Sequence, residues 1–292
     1  MKIATCAYHP QWQSDWDSLA ARLDAWVAEA AAQGAELLVF PEYAGVEAAL
    51  IGAPADRHPT DWVAALCAVF DRWTALHTTL ARRHGVHILA GSLPRRIAGQ
   101  CTNAAAFCAP SGAVAIQDKM ILTPYERTEM QLGPGQTLQL LETTLGRVGI
   151  LICYDSEFPL LARALVAAGA DLILVPSCTE AAAGQTRVRQ SCRARAIEGQ
   201  CLIVQAPLVG SVPDCGIIDV NTGRAGIFCP PDLGLPDDGI IAEGGTDIPG
   251  WVIAEVDTAP IAAVRKVGQV GNFSHWPEQD HRLERVTTVA LG

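Results

Sequence analysis

Short apolar runs alternate with long amphipathic stretches along the whole 292-residue chain, and that alternation restricts its fold more than any other feature. Lys2–Tyr8, Leu37–Phe40, Val86–Ala90, Asn103–Cys108 and Ala113–Ile116 read as strands in the first half. Val148–Ile152, Leu172–Val175, Leu202–Gln205 and Trp251–Val256 read as strands in the second. Between them, Trp16, Leu19, Leu23, Trp26 and Ala30 recur at helical spacing and stop before Gly34. Trp62, Leu66, Val69, Trp73, Leu76 and Leu80 mark a longer helix, entered through Pro59-Thr60 and ended at Gly85. Phe158–Ala168 and Glu180–Glu198 are expected helices, and Pro230–Gly250, rich in Pro, Gly and Asp, an acidic surface loop. Strands alternating with helices predict an α/β protein whose helices cover the sheet faces.

Composition narrows the partners. Half the residues are hydrophobic and 18% are charged, enough apolar material for one large core. Acidic side chains exceed basic ones, 31 to 21, for a net charge of −10, which opposes binding to nucleic-acid phosphates or anionic membranes. No apolar run approaches the roughly 18 residues of a membrane-spanning helix. Met1–His9 lacks a signal-peptide core, so a cytoplasmic location is expected. There, ten cysteines without a CxxC pair are expected as reduced thiols, not disulfides or a zinc site. His84-x-x-His87 lacks a third ligand, so neither metal nor cofactor is expected.

Ligands in open α/β sheets gather beyond the carboxyl ends of strands, so the residues after each apolar run are the candidates. Glu42 follows Leu37–Phe40 and sits between Phe40 and Tyr43. A solvated loop carboxylate is the ordinary reading; a desolvated one with raised pKa would suit a general base. Cys153 follows Val148–Ile152 and precedes a helix, where backbone N–H groups and the helix dipole would favour thiolate. Cys178 also follows a strand and is its rival, whereas Cys6, Cys67, Cys108 and Cys201 lie in apolar runs that suit packing. Lys119 follows Ala113–Ile116; such a lysine is usually solvated, but aimed at a carbonyl it would stabilise an oxyanion.

At these residues the chain resembles the nitrilase-like carbon–nitrogen hydrolase superfamily. Four segments occur in family order: Phe40-Pro41-Glu42; Asp118-Lys119 with Leu122–Glu126 and Gly133-Pro134-Gly135; Ile150–Asp155 with Phe158-Pro159; and Arg193–Glu198. The resemblance implies one four-layer α–β–β–α sandwich domain over residues 1–292, paired into a homodimer or larger assembly. It also implies catalysis by Glu42, Lys119 and Cys153, with Glu126 as accessory carboxylate. In the mechanism so implied, Tyr154 lends its backbone N–H to the oxyanion. Tyr43, Tyr125, Ser177 and Thr179 are expected to contact substrate. Cys-Tyr-Asp with Phe-Pro is similar to the amidase-type branch. Glu157, however, stands where many such relatives have Arg, and Gly199 and Gln205-Ala206-Pro207 also depart from the common pattern.

The expected function is hydrolysis of a small non-peptide amide through a cysteine thioester. A nitrilase, an N-carbamoyl amide hydrolase and acyl transfer to an amine are the enzymatic alternatives, and a catalytically silent binding protein the non-enzymatic one. Retention of all three of Glu42, Lys119 and Cys153 opposes the silent reading. Arg187, Arg189, Arg193 and Arg195 crowd one stretch, where pairing with Glu180 and Glu198 or a partner subunit competes with clamping a substrate carboxylate. Gly268–Trp276 could cross to a partner.

Overall fold

The computed structural model describes residues 1–282 and 286–291. It contains two six-stranded sheets. Strands β1 (Lys2–Ala7), β2 (Leu37–Phe40), β3 (His87–Ile97), β4 (Gln100–Cys108) and β5 (Val114–Asp118) form the first sheet. The second takes β6 (Leu141–Thr143), β7 (Gly146–Ile150), β8 (Leu172–Ser177) and β9 (Leu202–Pro207). A short hairpin of β10 (Gly210–Ser211) and β11 (Val220–Asn221) follows. Then β12 (Gly226–Phe228) and β13 (Ile240–Glu243) extend the second sheet, and β14 (Gly250–Glu255) returns to the first beside β1. The sheets share a plan: β1–β2–β3 and β7–β8–β9 run parallel at the centres, with antiparallel strands on both flanks.

Side-chain alternation sorts each strand into two faces. Ala4, Cys6, Leu38, Phe40, Ile88 and Ala90 pack under α1 (Trp16–Ala32) and α2 (Pro59–His84). Ile3, Leu37, Val39, Leu89, Ala105 and Phe107 face the other way and meet the second sheet. That sheet is covered in turn by two later helices, which contribute Ala162, Leu165, Val188, Cys192 and Ala196. The layers are therefore helix, sheet, sheet, helix, as expected. Both long helices stop at the expected glycines: α1 before Gly34, and α2 at Gly85, whose φ of +67° closes the last turn.

Two expectations fail. Pro230–Gly250 is not wholly loop, because Ile240–Glu243 pairs with β12. Val86–Ala90 is only the start of an eleven-residue β3, which continues past Gly91 as an arm paired with β4. The rest of the chain adds α3 (Pro124–Thr128), α4 (Pro159–Ala167), α5 (Ala182–Gly199) and α6 (Ala259–Val267). Among the described residues no helix is long and apolar enough to cross a membrane. Gly268–Trp276 packs on its own chain: Gln200 accepts from the Phe273 N–H at 3.0 Å, and Arg163 lies over the Phe273 ring.

Candidate active site

The turn after β2 carries Glu42, and β3 fixes it. The Ser92 N–H donates to the Pro41 carbonyl at 3.2 Å, and the Tyr43 N–H donates to Ser92 Oγ at 3.1 Å. Tyr43 occupies the left-handed region at φ +58°. Gly91 makes this approach feasible, since a Cβ there would stand 2.2 Å from the Pro41 oxygen, at a φ of +72°. The pairing of β3 with β4 also shifts register between Leu89 and Ser92, an irregularity of the sort that re-aims strands beside sites.

Lys119 leaves β5 with its N–H on the Asn103 carbonyl at 2.8 Å and its own carbonyl on the Gly135 N–H at 2.7 Å. Its ammonium is buried between two carboxylates, 2.7 Å from Glu42 Oε1 and 2.7 Å from Glu126 Oε2. Glu126 is the third residue of α3, where it forms a capping box: Glu126 N donates to Thr123 Oγ1 and Thr123 N to Glu126 Oε2. Its other oxygen accepts from Tyr43 Oη at 2.7 Å. Asn103 Nδ2 donates to both Glu42 and Glu126 at 3.0 Å, tying the carboxylates together.

Cys153 opens a single 3-10 turn, Cys153–Glu157, in the left-handed region at φ +48°. A non-glycine residue held there marks a strained strand-to-helix elbow. The helix α4 begins only at Pro159, so the 3-10 turn separates its N-terminus from the thiol. Asp155 fixes the elbow. Its buried carboxylate accepts from the N–H groups of Ile152 at 3.1 Å, Ile121 at 2.8 Å and Met120 at 3.2 Å, stapling the chain before Cys153 to the chain after Lys119.

Electrostatics separate the two glutamates. Burial pushes Glu42 up to about 7, against the opposing pull of Lys119. Burial would raise Glu126 too, but Lys119 and the hydrogen bonds from Thr123 and Tyr43 outweigh it and hold its carboxyl below the usual range. Burial alone would lower Lys119, yet Glu126 and Glu42 hold it well above its ordinary value. Burial and charge thus favour the ionised form of Glu126 and shift Glu42 towards neutrality, the kind of split that can separate acid–base roles. The thiolate expected at Cys153 is overturned: burial, then the Glu42 charge, push the thiol well up, and Lys119 offsets this only in part. The thiol donates to the Cys178 carbonyl at 3.6 Å, which agrees with that direction.

Glu42, Lys119, Glu126 and Cys153 line one cavity of about 350 Å³. Tyr43, Tyr125, Tyr154 and Thr179 line it as well. Ser177 does not line it, and its buried hydroxyl donates to the Ala206 carbonyl at 3.3 Å. The rival Cys178 also borders the cavity, but its N–H is spent on Glu42 Oε2 at 2.9 Å and its thiol on Asn221 Oδ1 at 3.3 Å. Sequence reasoning missed Asn103 and Asp155. An amide at the head of an apolar strand, and a carboxylate inside a buried motif, both needed internal partners. The arginines pair within the chain, Arg187 with Glu157, Arg189 with Glu243 and Arg195 with Glu198, and none with Glu180 among the described residues. His84 is taken by Asp24. Among the described residues no group of three or more His, Cys, Asp or Glu could hold a metal.

Known proteins repeat this architecture. The sequence profile of the family described as "Carbon-nitrogen hydrolase" matches residues 2–266. A probable hydrolase of Bacillus subtilis, YhcX, is 31% identical over 92% of this chain; the match covers 52% of that protein, so the chain spans about half its length. A deaminated glutathione amidase of Synechocystis is 30% identical over 83% of this chain and 86% of its own length. A solved mutant of the amidase from Nesterenkonia sp. AN1 carries the acetamide moiety of fluoroacetamide on its active site cysteine. It superposes with a TM-score of 0.69 at 25% identity, covering 91% of this chain and 94% of that one. On these grounds the chain belongs to the carbon–nitrogen hydrolase family.

Proposed function

We propose that the protein hydrolyses small non-peptide amides through a thioester on Cys153, with Glu42 as general base and acid and Lys119 as electrophilic stabiliser. One observation carries this reading: the Lys119 ammonium lies 2.7 Å from both Glu42 and Glu126, in the cavity that Cys153 also lines. Glu42 accepts the thiol proton as sulfur attacks the amide carbonyl. The resulting oxyanion is held by the Lys119 ammonium and by the Tyr154 N–H. Collapse breaks the carbon–nitrogen bond, and Glu42 returns its proton to the departing amine, leaving the thioester. Glu42, ionised again, removes a proton from water as it attacks the thioester, and that proton then goes to the departing Cys153 sulfur. Glu126 holds Lys119 in place and lowers the cost of burying its charge. Names of similar proteins, among them deaminated glutathione amidases, agree with an amide in place of a nitrile. Release of ammonia from a primary amide, lost in Cys153→Ala and not matched with the corresponding nitrile, is the expected result. Ammonia from the nitrile alone would replace this reading with a nitrilase.

A further inference from the structure

The cavity is charged unevenly. Its lining holds five carboxylates, those of Glu42, Glu126, Glu157, Glu180 and Asp219, against two cations, Lys119 and Arg187. Lys119 is fully engaged, and Arg187 is engaged through Nε alone. Lys119 lies between Glu42 and Glu126, and Arg187 Nε stands 3.3 Å from Glu157 Oε2. That leaves two exposed carboxylates, Glu180 on the loop before α5 and Asp219 on the loop between β10 and β11, with no further cation among the described lining residues. Even with Glu42 protonated the carboxylates remain in excess.

Two further features agree. Burial first, and then the charges of Glu129, Asp219 and Glu180, push the Tyr125 phenol up, so the negative field reaches into the lining. Tyr125 and Tyr154 also line the cavity, and aromatic rings attract cations. A substrate carboxylate, by contrast, could turn only to the terminal nitrogens of Arg187, and it would lie close to two carboxylates.

We infer that the substrate is an amide whose far end carries a positive charge, an ammonium or a guanidinium, recognised by Glu180 and Asp219. This rests on the amidase reading above. The test uses three short primary amides with the same four-carbon skeleton: γ-aminobutyramide (cationic), butyramide (neutral) and succinamate (anionic). The expected order of kcat/KM is cationic over neutral over anionic, with each step about three- to tenfold, the modest scale of exposed ion pairs in which two carboxylates act together. The cationic preference should shrink as ionic strength rises. It should fall towards parity in a Glu180→Gln, Asp219→Asn double variant. Butyramide or succinamate turned over faster than γ-aminobutyramide, or a preference untouched by the double variant, would overturn the inference and leave the amidase reading standing. Failure of all three amides to acylate Cys153 would overturn both.

Discussion

Glu42 and Glu47 are near neighbours in sequence, both buried, and both held above the ordinary carboxylate range by burial, yet they sit in different kinds of region. Glu47 is sealed beneath α1, accepting from Arg22 at 2.9 Å, from the Gln11 N–H and Gln13 side chain at 3.1 Å, and from the Tyr8 hydroxyl. Its donors all come from the loop after β1 and from α1, and it does not line the cavity that holds Glu42. Glu42 shares its cation with a second carboxylate of opposite pKa shift and borders a cavity that contains a thiol on a strained elbow. A buried, perturbed carboxylate is thus not itself evidence of a site. What distinguishes Glu42 is access together with a reacting partner.

The sharpest way to break this comparison is to remove one key group from each region. Cys153→Ala should lower amide turnover by ~10⁴-fold or more, as loss of a covalent nucleophile does, with the fold intact by circular dichroism. Glu47→Ala should do the reverse, leaving kcat in place while lowering the melting midpoint, at roughly 2–4 °C per kcal/mol lost. A large kcat loss in Glu47→Ala would erase the distinction.

Lys119→Met should cost ~10²–10³-fold in kcat, the usual effect of losing one oxyanion donor. It should also destabilise the fold by about 3–5 kcal/mol, because Glu42 and Glu126 would be left buried without their cation. Paired activity and denaturant-melt measurements separate the two losses.

Gly91→Ala acts at one remove. Its Cβ would collide with the Pro41 carbonyl and shift Glu42, and a displacement of ~1 Å can cost about 10²-fold. Single-turnover acylation should slow while substrate binding changes little.

The smallest effect is the pH response. Acylation needs ionised Glu42, so kcat/KM should rise with pH and reach half its plateau near Glu42's pKa of about 7. For stability the sign is opposite. The folded pKa lies above the ordinary 4.5, so this group's contribution is fully present below pH 4.5 and is lost as pH rises through about 7.

Much of this was legible in the sequence because burial and periodicity leave a local signature. The Leu37–Phe40 strand, the long α2 with its Gly85 stop, and the strand-end positions of Glu42, Lys119 and Cys153 all reached the structure intact. What escaped depended on distant partners. Ile240–Glu243 is a strand only because β12 lies beside it, in a segment whose Pro, Gly and Asp content reads as loop. The arm of β3 beyond Gly91 hides behind Pro94, Arg95 and Arg96, which pair with β4 but are not apolar. Asn103 has no recognisable motif of its own; its role is set by two carboxylates brought in from elsewhere in the chain. The thiolate expectation failed for a related reason. It weighed the local turn and not the burial and neighbouring Glu42 charge that the assembled sheets impose.

Two cysteines border the cavity, and the proposed chemistry places the acyl group on Cys153. Acid quench of the enzyme during steady-state turnover of a primary amide, followed by peptide mass mapping, tests it directly. The acyl mass should fall on the peptide containing Cys153, persist in Cys178→Ala and vanish in Cys153→Ala. An acyl group on Cys178, or one that survives Cys153→Ala, would contradict the account.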